Sequence, residues 1–164
     1  MSQGKKYELT TNTIMAFGRK LFQIRAAVSF GDVESGDAGG FVASEDCLSH
    51  DGNAWVYGDA WVSGNAWVSG YAWVSGYALV SGYARVSGDT DIAWFSGVGS
   101  ENGTLTAMRD KDGGVFITRG CFGGSLDEFE SAVAESHGAS KIGREYGLLV
   151  QLIRLRMSDE RNEP

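Results

Sequence analysis

The clearest pattern in the chain is a six-residue beat in its middle. Gly recurs at Gly52, Gly58, Gly64, Gly70, Gly76, Gly82 and Gly88. Ala keeps step at Ala54, Ala60, Ala66, Ala72, Ala78 and Ala84, with Thr90 in the next slot. Val follows at Val56, Val62, Val68, Val74, Val80 and Val86, with Ile92 last. Successive side chains of a strand point to opposite faces, so Ala and Val, two apart, share one face. That face is predicted to lie inside. The intervening Trp55, Trp61, Trp67, Trp73, Leu79 and Arg85 then point outward. Gly permits a positive-φ corner, and the Asn or Asp that follows several of these glycines favours a turn. Each unit is predicted to be one short strand and one corner, stacked so that it buries its inner face against its neighbours.

The flanks have different periods. Residues 20–30 alternate, with Phe22, Ile24, Ala26, Val28 and Phe30 on one side and Gln23, Arg25 and Ser29 on the other. This predicts a half-buried strand pairing with residues 7–10 across an Ala16-Phe17-Gly18-Arg19 turn. Residues 31–40 read as a turn-rich link, and Phe41, Val42 and Leu48 as the start of the repeat body. Beyond it, residues 104–109 and 115–119 flank Asp110-Lys111-Asp112-Gly113-Gly114, a hairpin signal. Ser125-Leu126-Asp127-Glu128 is a capping box opening a helix that Gly138 closes. A second helix over about 140–157 carries two apolar stripes, Ile142, Tyr146, Leu149 and Ile153 on one and Leu148, Leu152 and Leu155 on the other. One stripe is predicted to pack on the chain itself and the other on a partner subunit. Residues 159–164 read as a polar tail. The expected units are an N-terminal β cap (1–50), the repeat body (51–97) and an α+β C-terminal region (98–164).

Runs such as Val56-Tyr57-Gly58-Asp59-Ala60-Trp61 and Val62-Ser63-Gly64-Asn65-Ala66-Trp67 resemble the hexapeptide repeat of left-handed parallel β-helix proteins. Ser or Tyr stands where that family prefers a small or acidic residue. The resemblance implies a mainly β fold, a short left-handed parallel β-helix in which three units make one turn. Positions 18 apart would then stack, pairing Trp55 with Trp73, Trp61 with Leu79 and Trp67 with Arg85. The flanking segments Phe30-Gly31-Asp32-Val33, Gly36-Asp37-Ala38-Gly39-Gly40 and Gly120-Cys121-Phe122 are similar to a family of phage and prophage accessory proteins. That likeness implies viral origin and host-directed work without naming a chemistry.

Composition narrows the field. The chain has 164 residues, enough for one domain with a real core. Gly is 24 and Pro 1, which together with 43% hydrophobic residues excludes collagen and general disorder. Formal net charge is -7, which disfavours non-specific DNA binding and anionic membranes. No apolar run approaches the ~20 residues needed to span a bilayer. The opening residues carry no signal-peptide core, so a cytoplasmic protein is expected, in the host cytoplasm if phage-encoded. Cys47 and Cys121 are expected to stay reduced. With His50 and His137 the only histidines, no metal site, cofactor or catalytic set is expected.

Tyr71, Tyr77 and Tyr83 replace Asn or Asp at three successive corners. With Trp67 and Arg85, and with Arg109 and Arg119 on the predicted hairpin, they form the candidate ligand-binding set. Aromatic faces stack planar groups, and guanidinium forks hold phosphates. Trp55, Trp61, Trp73, Leu148, Leu152 and Leu155 form the candidate oligomer interface, with a homotrimer favoured. His50 is expected to fill a cap, although hexapeptide-class acyltransferases use a histidine base. Cys121 sits in a Gly-rich loop before a helix. The leading reading is a non-enzymatic, phage-encoded binding protein that sequesters a small anionic host signal, nucleotide-like, or blocks a host defence protein. An acyltransferase-like enzyme and a self-assembling scaffold are the alternatives.

Overall fold

A computed structural model describes residues 4–158; the expected tail at 159–164 lies outside the described residues. The chain is mainly β with two C-terminal helices. Strands β1 (Tyr7–Ala16) and β2 (Arg19–Ala26) form the antiparallel hairpin expected from the alternation. The strand stops at Ala26, however, and Val28 is exposed. A register shift between Gln23 and Arg25, where β2 meets the next strand, breaks the strict alternation. Leu21 and Ile24, three apart, both reach the core. Strand β3 (Ala38–Val42) lies antiparallel to β2 on one edge and parallel to the repeat on the other. Three of its residues, Ala38, Gly39 and Gly40, come from the stretch read as a link. A Cβ at Gly40 would stand 2.5 Å from the Ala60 carbonyl oxygen, so these glycines allow a close strand approach rather than a turn.

The repeat yields six strands of two residues each: β4 (Trp55–Val56), β5 (Trp61–Val62), β6 (Trp67–Val68), β7 (Trp73–Val74), β8 (Leu79–Val80) and β9 (Arg85–Val86). They pair in parallel 18 residues apart, Trp55 with Trp73, Trp61 with Leu79 and Trp67 with Arg85. Every Ala and Val of these units is buried, at 0–2% exposure, as the period predicted. The corner glycines take positive φ and stack closely; a Cβ at Gly52 would lie 2.7 Å from the Gly70 oxygen.

A regular left-handed parallel β-helix is nevertheless not formed. The short strands divide among two separate two-stranded sheets and one mixed five-stranded sheet that also holds the antiparallel hairpin. The seventh unit leaves the pattern altogether. After a 3-10 turn at Asp89–Asp91, Ile92 pairs with Met108 in an antiparallel sheet instead of stacking below Val74. The reason is local. The Asp91 carboxylate accepts from the N–H groups of Ser87 and Gly88, at 3.0 and 3.2 Å, and closes the chain into a turn where another strand would begin.

The second sheet runs β10 (Ile92–Val98), β11 (Gly103–Arg109), β12 (Val115–Arg119), β13 (Phe122–Ser125), all antiparallel. Helices α1 (Leu126–His137) and α2 (Lys141–Arg156) pack on it through Phe129, Val133, Tyr146, Val150 and Ile153. The expected capping box is present: Ser125 Oγ accepts from the Glu128 N–H at 3.1 Å, and Glu128 Oε2 from the Ser125 N–H at 2.7 Å. Arg154 of α2 reaches Asp127 and Glu130 of α1 at 2.7 and 2.6 Å.

Side chains satisfy backbone groups at both ends of the repeat. On the first layer, Lys6 Nζ donates to the Ala54 carbonyl at 2.8 Å, and Tyr7 Oη donates to the carbonyls of Glu45 and Leu48 at 2.9 and 2.8 Å. On the last layer, the Leu79 N–H donates to Thr106 Oγ1 at 3.0 Å, and Thr118 Oγ1 donates to the Leu79 carbonyl at 2.7 Å. Both threonines are buried. We expect Thr106→Val, nearly the same volume, to lower unfolding free energy by about 1–3 kcal/mol by orphaning the Leu79 amide. Urea titration checks this, and Thr104→Val, on a half-buried neighbouring position, is expected to have a smaller effect.

Candidate binding grooves beside the repeat

Two grooves meet at the corner formed by Gly64 and Asn65. The first has a volume of about 350 Å³ and lies between three pieces of chain. One wall is the β1–β2 turn with Ala16, Phe17 and Arg19, the opposite wall is the β12–β13 turn with Gly120, Cys121 and Phe122, and the floor is the repeat. Phe17 has a φ of 49°, in the left-handed region that L side chains rarely adopt. Its exposed ring meets Trp61 edge-on at 6.2 Å. A strained, exposed aromatic held against a second one is costly to keep for packing alone. Tyr83 and Leu79 complete the apolar lining, and Ser63, Asn65, Ser81 and Thr118 supply hydroxyl and amide groups. Arg19 is the charged residue of the lining, which contains no carboxylate although the chain is strongly acidic.

The second groove, about 620 Å³, holds Trp67 and Arg85 side by side with Ser44 and Asp46. Arg85 Nη1 is committed to two carbonyls, Asn65 at 2.6 Å and Ala84 at 3.0 Å, so its fork is fixed along the repeat wall. Asp46 at the same groove opposes an anion there. Of the two linings, only the first carries an arginine without a carboxylate.

The sequence-derived set is only partly brought together. Trp67, Arg85 and Tyr83 surround the shared corner, with Lys111 Nζ 4.9 Å above the Tyr83 ring. Tyr71 and Tyr77 are exposed and line neither groove. Arg109 lies outside both grooves and donates to the Gly113 carbonyl at 3.2 Å. Arg119 also lies outside both grooves. Its Nε donates to Tyr146 Oη at 3.0 Å and its Nη2 to the Val98 carbonyl at 3.2 Å, bracing the sheet against α2.

Trp55, counted with the interface set, is buried. It is 1% exposed, packed between Tyr7 and Phe30 in the core. The cap on the first layer leaves no room for it outside. Trp61 belongs to the first groove, Trp73 is partly exposed against Tyr57, and Leu148, Leu152 and Leu155 are exposed on α2. Sequence reasoning passed over Phe17, Arg19 and Phe122 as site residues. Their one signal was an aromatic residue directly before a turn glycine.

His50 is held in the N-terminal cap. Its Nδ1 accepts from the Lys6 N–H at 3.2 Å and its ring stacks on Tyr7 at 4.3 Å. Its Nε2 is sealed from solvent, 3.8 Å from Glu45 Oε2. Among the described residues no three His, Cys, Asp or Glu side chains gather as a metal site, and no helix is long and apolar enough to cross a membrane. No family model matches the chain, and no curated protein matches it. The likeness to hexapeptide-repeat and phage accessory families is accordingly withdrawn, and with it the inference of viral origin.

Burial lowers the Lys6 pKa to about 8, against some opposing pull from Asp51, and burial, with nearby acidic charge, raises that of Tyr7. The signs give a pH profile. Between pH 8 and about 10 the unfolded chain keeps a proton on Lys6 that the folded chain has released, so stability rises with pH. Above the ordinary tyrosine value of ~10, the unfolded chain loses a proton that folded Tyr7 retains, and stability falls. Denaturation midpoints measured across pH 7–11 are expected to show this maximum, and Lys6→Met to remove the rise on its acid side.

Proposed function

We propose that the chain is a non-enzymatic binding protein that captures a small planar anion, nucleotide-like in chemistry, in the groove between the β1–β2 and β12–β13 turns. The observation that carries this reading is the pairing of an edge-on Phe17 and Trp61 with Arg19 in a groove free of carboxylates. A planar ring stacks on the aromatic pair, and the guanidinium meets the anionic group. Hydroxyls of Ser63, Ser81 and Thr118 offer hydrogen bonds to a sugar or base edge.

Calorimetry with nucleoside mono- and diphosphates, the matched nucleosides and inorganic phosphate tests it. Binding that needs both ring and phosphate supports the proposal; silence throughout the panel at millimolar concentration defeats it. Trp61→Ala is expected to weaken binding by roughly 5- to 100-fold, the range for loss of one stacking partner. Arg19→Ala is expected to abolish the preference for phosphate over nucleoside. Phe17→Gly separates function from folding. It relieves the left-handed backbone, so thermal stability is expected to hold or rise by about 1 kcal/mol, while affinity falls.

The same reading includes self-association. Leu148, Leu152 and Leu155 leave an exposed stripe on α2 at the four-then-three spacing of a helix seam. Light scattering is expected to give an oligomer, a trimer by preference, that Leu152→Glu dissociates. A monomer at tens of micromolar would remove this part and leave the groove untouched.

A further inference from the structure

We infer that the backbone edge at Trp73 and Ser75 is a docking site for an extended, acidic peptide segment of a partner protein, added as a strand to the end of the repeat. The Trp55 and Tyr57 amides donate to the carbonyls of Ala72 and Val74, at 3.1 and 2.7 Å. Those bonds use one side of β7. By strand alternation the Trp73 N–H, the Trp73 carbonyl and the Ser75 N–H face the other side. On the neighbouring face the Leu79 N–H and carbonyl are closed by Thr106 and Thr118. On the third face the Ser87 amide is taken by Asp91. At β7, among the described residues, these three groups have no partner.

The cause is the departure of the chain at Asp89–Asp91. Continued in step, the repeat would place Ile92 beneath Val74. Ile92 pairs with Met108 instead, and a groove of about 340 Å³ opens between the two. Trp73, Trp94 and Phe95 line it, with the Arg156 side chain at one side. A donor, an acceptor and a donor at strand spacing are the complement of one extended backbone, the chemistry of strand addition. The aromatic lining takes apolar side chains from one face of such a segment, and Arg156 favours an acidic residue on it. The ligand is thus a short segment alternating apolar and Asp or Glu residues, with no proline at the bonded positions.

Three probes test this: a capped heptapeptide alternating Val and Glu, its Val and Lys counterpart, and the Val and Glu peptide with a methylated backbone. Amide exchange is read by NMR on the full chain. The Val and Glu peptide is expected to bind and to slow exchange at Trp73 and Ser75 by at least tenfold, leaving Leu79 unchanged. Arg156→Glu is expected to shift preference to the Lys peptide, and backbone methylation to abolish binding. The proposal is overturned by no binding at about 1 mM, weaker than any useful docking. It is equally overturned by binding that leaves both amides unprotected, by equal affinity for the Lys peptide, or by slow exchange of both amides in the free protein. Protection that grows with protein concentration alone would assign the edge to a second copy of the chain and also overturn it.

Discussion

Strands two residues long cannot stand by themselves, and this constraint governs the rest of the molecule. Each repeat strand offers hydrogen-bonding groups above and below, and its inner face is only one Ala and one Val wide. Leaving such groups unpaired in a buried setting costs about 1–3 kcal/mol each, a large share of a domain's net stability. The chain answers with dissimilar closures: a parallel strand β3 over β5, the Lys6 ammonium over Ala54, threonine hydroxyls under Leu79, and a carboxylate at Ser87. The flanking regions are therefore not appendages. They are the partners without which the repeat would not hold its shape.

That division of labour also decides where chemistry can reside. The inner positions are filled with Ala and Val at full burial, so none is free for a ligand. The outward positions are free, but a lone Trp on a flat wall makes a poor site. A groove arises only where a turn from outside the repeat overhangs an outward residue. Phe17 over Trp61 is one such place, and Cys121 and Phe122 close it from the opposite side. The closures that stabilise the repeat thus also build its concave surface.

The parts of this architecture visible in the amino-acid order are those written in a period. The burial of Ala60 or Val80 follows from spacing alone, as do the inward Tyr146 and outward Leu148 of α2. The capping box at Ser125 is a local bond and is legible for that reason. What could not be read depends on contacts between distant segments. Gly39 and Gly40 look like a turn, yet they are strand residues pressed against Trp55 and Ala60. Phe122 and Gly123 look like a loop, yet they form an edge strand paired with Arg119 and Thr118. Ile92 keeps the period perfectly and still leaves the stack, because one carboxylate at Asp91 satisfies two amides at less length than a further strand would need. The site residues share this second character. Phe17 and Arg19 carry no repeat and acquire meaning only from the Trp61 wall opposite them.

The acidic charge of the chain bears on both grooves. A protein at -7 repels small anions at long range, so any anion it holds must be held by local geometry. The cations are placed unevenly. Arg154 is neutralised by Asp127 and Glu130, and Lys5 and Arg25 by Glu45 and Glu8. Arg19 faces a lining without carboxylates, whereas Arg85 shares its groove with Asp46. The two adjoining grooves on one corner thus differ in charge by a single acidic side chain.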